Sequence, residues 1–168
     1  MKELSVQLKK TIDHWVAKFP KDKQRSAVVA ALLAAQEENQ GWLSEDVMLA
    51  VGDYLNISKV EVFEVATFYD MYELKPIGKH KIGLCTNISC KLRGSDDIEV
   101  ALSQRLGVKM GQTTEDNLFT LRETECLGAC ANAPVCQLDN RDFYEDLTVD
   151  SMLELVDRLE REAQSTHE

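Results

Sequence analysis

The residues of this sequence best placed to do chemistry are its cysteines, at 85, 90, 126, 130 and 136; the first 84 positions contain none. Four of them form two pairs. Cys85 and Cys90 enclose four residues, Cys126 and Cys130 enclose three, and thirty-five residues separate the pairs. Clustered thiols in a reducing compartment point to a metal centre or to thiol redox chemistry rather than to a disulfide framework. Structural zinc usually uses tight two-residue spacers that wrap one ion. A two-iron cluster is a larger guest that takes two thiolates per iron, and spacers of four and three suit it better. The C-x-x-C dithiol motif is absent. A [2Fe–2S] centre therefore leads, zinc stands second, and thiol exchange or inert thiols come last.

The flanking residues agree with a cluster. Leu84, Leu127, Gly128, Ala129, Ala131, Ala133 and Pro134 are small or apolar. They leave room for bridging sulfides, limit water, and free backbone N–H groups to hydrogen-bond sulfur. Cys136 lies in an alternating segment, where a cysteine behaves as a small buried hydrophobe. The three histidines are scattered at 14, 80 and 167. His80 opens a strand whose far end carries Cys85, and at about 3.3 Å per residue this puts it more than roughly 10 Å away. It reads as structural.

Two cysteine pairs so far apart need a scaffold that brings them together. The pattern from His80 to Cys85 alternates and predicts a strand, as does Leu118 to Thr124. Between them Ser95, with Asp96 and Asp97, starts a helix through Ile98, Leu102 and Leu106. If the two strands are parallel neighbours, Cys85 and Cys126 emerge at the same sheet end, where ligand sites in such sheets lie. Short strands at Val135–Leu138 and Asp142–Glu145 flank a turn at 139–141, and Thr148 caps a last helix carrying Val149, Met152, Leu153, Val156 and Leu159. The order β-α-β, hairpin, α fits a small thioredoxin-like α/β domain.

Residues before about 75 read as four helices. Leu4, Leu8, Ile12, Trp15 and Phe19 give the first apolar stripe, with Pro20 as its stop. Val28, Val29, Leu32 and Leu33 mark the second, ending near Gly41. Ser44 caps the third, with Val47, Met48, Val51, Tyr54 and Leu55 as its apolar positions. Ser58 and Glu61 form a capping-box signature for the fourth, which runs through Val62, Val65, Phe68 and Tyr72. The expected fold class is α+β: an N-terminal helical bundle over 1–75, then a thioredoxin-like domain over 76–168, with Pro76 and Gly78 at the boundary.

Charge and hydropathy exclude several classes. Nineteen basic and twenty-nine acidic residues give a net charge of -10, which disfavours binding a phosphate backbone. The acid excess is uneven: residues 85–168 hold 8 basic and 17 acidic side chains. No apolar run is long enough for a membrane span. The opening MKELSVQLKKTIDHW lacks an apolar core and reads as neither a secretory signal nor a transit peptide.

Several strings together resemble the family of the NADH-quinone oxidoreductase E subunit. They are Gln40-Gly41-Trp42-Leu43, Glu64-Val65-Ala66-Thr67-Phe68-Tyr69, and Pro76, Gly78, Lys79 and His80, with the cysteine segments 85–90 and 126–134. The resemblance runs from about residue 5 to about residue 160. It implies a helical N-terminal segment followed by a thioredoxin-like ferredoxin domain holding one [2Fe–2S] cluster, with Cys85, Cys90, Cys126 and Cys130 as ligands. It also implies that this subunit does not bind NADH. It would dock on a flavoprotein subunit that carries FMN and binds NADH, near the large iron–sulfur subunit. The implied place is a peripheral arm on the cytoplasmic side of a bacterial inner membrane, or the mitochondrial matrix for a processed eukaryotic chain. Similar small subunits serve NAD-linked formate dehydrogenases and hydrogenases. A zinc-stabilised interaction module is the alternative from another class. Cys136 departs from the apolar residue usual there in the family, and the long N-terminal extension frequent in relatives is missing. On this reading Phe63, Phe68, Tyr69 and Tyr72 are core residues or partly face the flavoprotein.

Overall fold

The computed structural model describes residues 3–165, so His167 lies outside the described residues. Among them are seven α-helices and a four-stranded sheet. The chain divides into two compact units, Met1–Pro76 and Ile77–Glu168.

The first unit is helical. Helix α1 (Val6–Val16) starts at Ser5, whose hydroxyl accepts from Leu8 N–H at 3.0 Å. Helix α2 (Val28–Glu38) follows a 3-10 turn over Gln24–Ala27. Ser44 caps α3 (Glu45–Leu55), which ends on Asn56 at φ 55°. Helix α4 (Lys59–Phe68) carries the expected capping box, with Glu61 returning its carboxylate to Ser58 N–H at 3.0 Å. Leu8, Ile12, Leu32, Val51, Val62 and Ala66 belong to one buried core. Buried Gln36 fixes the segment after α4: its side chain accepts from Glu73 N–H at 2.7 Å and donates to Met71 O at 3.0 Å.

Three expectations about aromatic residues need correction. The helix stops at Val16 and leaves Phe19 outside it and exposed; Trp15, in its last turn, is exposed as well, with the Lys18 ammonium over its ring at 3.6 Å. Tyr54 is exposed as well, its hydroxyl donating to Asp13 Oδ1 at 2.9 Å. The fourth helix ends at Phe68, because Tyr69 turns extended, so Tyr72 reaches the core from outside the helix and donates to Val29 O at 2.8 Å. Phe68 is left 78% exposed.

The second unit holds the sheet, in the order β2-β1-β3-β4. Strand β1 (His80–Cys85) pairs in parallel with β2 (Phe119–Thr124) and antiparallel with β3 (Cys136–Leu138), which forms a hairpin with β4 (Asp142–Tyr144). Helices α5 (Ile88–Leu92) and α6 (Ser95–Leu106) make the crossover from β1 to β2, and α7 (Val149–Ser165) ends the chain's described part. Ile82, Leu84, Phe119 and Leu121 from the strands share a core with Ile98 and Leu102 of α6 and Met152 and Val156 of α7. Thr148 caps α7 as expected, accepting from Ser151 N–H at 3.1 Å. Ser95 does not cap α6: the cap position is Gly94, at φ 99°.

Gly78 sets the entry to β1. Its N–H donates to Thr120 Oγ1 at 2.7 Å, and a Cβ there would lie 2.9 Å from the Phe119 backbone N and C atoms. Backbone cannot swing aside as a side-chain tip can. Gly78→Ala is expected to lower the stability of the protein by about 1–3 kcal/mol, read as a reduced denaturant midpoint at constant slope. An unchanged midpoint would show that the β1–β2 pair gives way at no cost.

Candidate metal centre

Strand register brings the starts of both cysteine loops to one end of the sheet. Cys85, the last residue of β1, stands opposite Thr124, the last of β2, and Cys126 follows two residues on. The exit of β1 is held on both sides: Cys85 N–H donates to Val135 O and Thr86 N–H to Thr124 O, each at 3.0 Å. The chain then turns at Asn87, whose side-chain oxygen accepts from Ile88 N–H at 2.9 Å, into the five-residue helix α5 that carries Cys90. On the other side Gly128 adopts φ 75°, a left-handed conformation suited to glycine. A 3-10 turn over Cys130–Asn132 and a cis Ala133–Pro134 bond complete the loop.

Hydrogen bonds lace these loops together. Asn132 Nδ2 donates to Glu145 Oε2 at 2.6 Å, and Asp146 N–H donates to Asn132 O at 2.7 Å. Leu147 N–H donates to Pro134 O at 3.1 Å. Arg93, just past α5, donates to Ala131 O at 3.4 Å and lies 3.8 Å from the Asp146 carboxylate. One arginine thus joins the end of the Cys90 helix to the Cys130 loop.

Burial splits the four cysteines. Cys85 and Cys90 are buried in a small apolar cluster with Ala133, against which Leu127 packs, whereas Cys126 and Cys130 are exposed. Burial pushes the Cys90 thiol up to about 11. A hydrogen bond with Cys85 and the charges of Cys85 and Cys130 act in the same direction, and the Val135 backbone opposes them. Cys90 therefore feels both Cys85 and Cys130. Cys85 Sγ also faces Glu125 O at 3.9 Å.

Among the described residues, no three His, Cys, Asp or Glu side chains converge tightly enough to hold a metal ion as they stand. The donor set is nevertheless four thiols around two loops, and a two-iron core divides four thiolates between two metals rather than gathering them on one point. By donor chemistry the residues fit such a group.

The remaining candidates serve the fold. Cys136 is fully buried between strand and helix, with its sulfur 3.8 Å from Met152 Sδ, and burial pushes its thiol up to about 12. His80 pairs with Asp139 at 3.0 Å at the opposite end of β1 from Cys85. Sequence reasoning missed α5, the cis bond and the Arg93 strap. Asn87 three residues before Cys90 was the available signal for α5, since asparagine favours helix N-caps.

Residues 12–160 match the family model for the thioredoxin-like [2Fe-2S] ferredoxin. The chain is 48% identical over 147 residues to the E subunit of the NADH-quinone oxidoreductase of Rickettsia conorii, covering 88% of this chain and 87% of that one. It is 43% identical to the mitochondrial NADH dehydrogenase [ubiquinone] flavoprotein 2 of Dictyostelium discoideum, covering 88% of this chain and 60% of that one. The crystal structure of an NAD+-reducing [NiFe]-hydrogenase in the air-oxidized state superposes with TM-score 0.67 at 19% identity, over 78% of this chain. The chain spans only 23% of that hydrogenase chain, and the likeness is one of fold.

The burial pattern predicts an order of thiol reactivity in metal-free protein, because the thiolate is the nucleophile. With iodoacetamide at pH 8, Cys126 and Cys130 should be modified first and Cys85, Cys90 and Cys136 much more slowly. The Cys90 rate should then rise about tenfold per pH unit until the pH nears its raised pKa. Mass mapping that found Cys90 as reactive as Cys130 at pH 8 would contradict this geometry.

Proposed function

This chain belongs to the thioredoxin-like [2Fe-2S] ferredoxin family and to the family of the NADH-quinone oxidoreductase E subunit, and on that premise we propose that it is the small electron-transfer component of such an oxidoreductase. It holds one [2Fe–2S] cluster through Cys85, Cys90, Cys126 and Cys130, and it exchanges single electrons with the FMN of a partner flavoprotein subunit that binds NADH. The observation that supports this most is the arrival of both cysteine loops at the carboxyl ends of the parallel β1–β2 pair.

Bound there, the cluster supplies reversible one-electron chemistry. The protein's own residues divide the remaining work. Leu127 and Ala133, beside Cys85 and Cys90, keep water from the inner side. The exposed thiols of Cys126 and Cys130 lie on the outer side, open to a partner. The acid excess over residues 85–168 disfavours added negative charge and so lowers the reduction potential, which suits exchange with reduced flavin. No helix among the described residues is long and apolar enough to cross a membrane. In this reading the protein sits in a peripheral arm, on the cytoplasmic face of a bacterial inner membrane or in the mitochondrial matrix, with the large iron–sulfur subunit nearby.

The N-terminal helical unit, a small bundle, is the docking element. Phe68 and Tyr69, 78% and 43% exposed, meet edge to face with ring centroids 4.9 Å apart, a preformed pair of the kind that dominates interfaces.

Two measurements test this reading. Protein purified without oxygen should be red-brown, with about two irons and two labile sulfides per chain. Replacing any one of the four paired cysteines by alanine should lower the iron content, whereas Cys136→Ala should retain the colour. A colourless protein holding zinc would defeat the assignment. Separately, Phe68→Ala with Tyr69→Ala should weaken association with the flavoprotein at least about tenfold without changing iron content. Undiminished binding would remove the aromatic pair from the interface.

A further inference from the structure

Ser95 is the residue whose surroundings the fold leaves unexplained. The residue is 1% exposed, and among the described residues its Oγ is the single buried side-chain nitrogen or oxygen atom with no hydrogen-bond partner. Buried hydroxyls are almost always paired, because an unpaired one forfeits its hydration for nothing. Capping does not account for it, since Gly94 occupies the cap position.

Its place in the chain indicates the missing partner. Arg93 N–H donates to Cys90 O and Gly94 N–H to Lys91 O, each at 3.1 Å, so a tight turn carries the backbone from Cys90 straight to Ser95. Ser95 then opens α6, the crossover helix that leaves β1 for β2. A crossover helix begins at the carboxyl end of the strand it leaves, which here is the end where both cysteine loops emerge. The same turn is tied to the Cys130 loop by the Arg93 bond to Ala131 O. A buried hydroxyl at this point needs an acceptor, and the proposed guest is rich in sulfur acceptors.

We propose that Ser95 Oγ–H donates a hydrogen bond to a sulfur of the group held by the four cysteines and thereby raises its reduction potential. The inference rests on the functional reading above. A donor aimed at sulfur stabilises the reduced, more negative state more than the oxidised one, and so opposes the acid excess of the surrounding chain. Ser95 is thus a positioning and tuning residue and takes no part in ligation.

The test compares the full-length protein with Ser95→Ala and Ser95→Gly, all purified without oxygen. Both variants remove the hydroxyl, and glycine serves as control for any effect of the new methyl group. The expected result is two irons per chain in all three proteins, with a midpoint potential lower in both variants. The shift should correspond to a several-fold drop in the reduction equilibrium, tenfold being about 59 mV for one electron. One exchangeable proton coupling, seen on transfer to deuterium oxide by electron–nuclear double resonance of the reduced protein, should disappear with the hydroxyl. Loaded variants with unchanged potential and unchanged couplings would overturn the role of Ser95 and leave the functional reading intact. Wild-type protein that binds no iron–sulfur group would overturn both.

Discussion

The second unit depends on one pairing, the parallel register of β1 against β2. Parallel strands cannot be joined by a hairpin, so the chain must cross over through α5 and α6 before β2 begins. That crossover supplies the long separation between the cysteine pairs, and the register cancels it in space. With Cys85 opposite Thr124, both loops leave the sheet at the same end. A slip of one residue would turn Ile82 and Leu84 away from the core they share with Phe119 and Leu121. The hydrophobic pattern therefore enforces the geometry of the site. The central position of β1 tightens this further, because β3 on its other edge brings the Val135 backbone against both Cys85 and Cys90.

From that register follows the asymmetry of the thiols. The pair that follows β1 is enclosed by the centre of the sheet, whereas the pair that follows β2, an edge strand, opens outward. A group held between them would have one face in an apolar environment and one available to another protein. Loop mobility would spoil such an arrangement, and the loops are restrained accordingly. Asn132 and Pro134 are tied to the segment after β4, and Arg93 ties the α5–α6 turn to the Cys130 loop. Side chains on loops are held to useful positions only when packing and hydrogen bonds fix the backbone that carries them.

Much of this is legible in the sequence, for reasons that differ by residue. The bounds of β1 follow from the alternation of Ile82 and Leu84, which enter the core, with Lys81 and Gly83. The capping box at Ser58 and Glu61 and the caps at Ser44 and Thr148 are readable because a cap is a local interaction. Periodicity misplaces Phe19 because it does not say where the helix stops. It misplaces Trp15 and Phe68, each in the last turn of its helix, because it does not say how far along the helix the packed neighbours reach. Ser95 imitates a cap and is not one, because Gly94 can take a positive φ and end the preceding turn, which leaves the serine one position inside the helix. The five-residue α5 is too short to show a period at all. At the candidate centre, the shared sheet end from which both cysteine loops leave is legible from the alternation of the two strands. Which pair is buried is not, because that depends on strand order, and strand order is a tertiary property.

An excess of nine acids over residues 85–168 is a count, and the field at the cysteine loops depends on distance. Charges beyond about 8–10 Å are largely screened at physiological ionic strength. Several acids are also matched locally: Asp157 and Glu160 bracket Arg105, Asp96 lies 3.5 Å from Lys91, and Asp146 faces Arg93. Two carboxylates contact the loops directly, Glu123 bonded to Thr86 and Glu145 bonded to Asn132, and Glu125 precedes Cys126 in the chain. Within the proposed function, the part of the acid excess that acts on a group at the loops is therefore the part that stands beside them and is unmatched by a nearby cation, and hydrogen bonds to sulfur act against it.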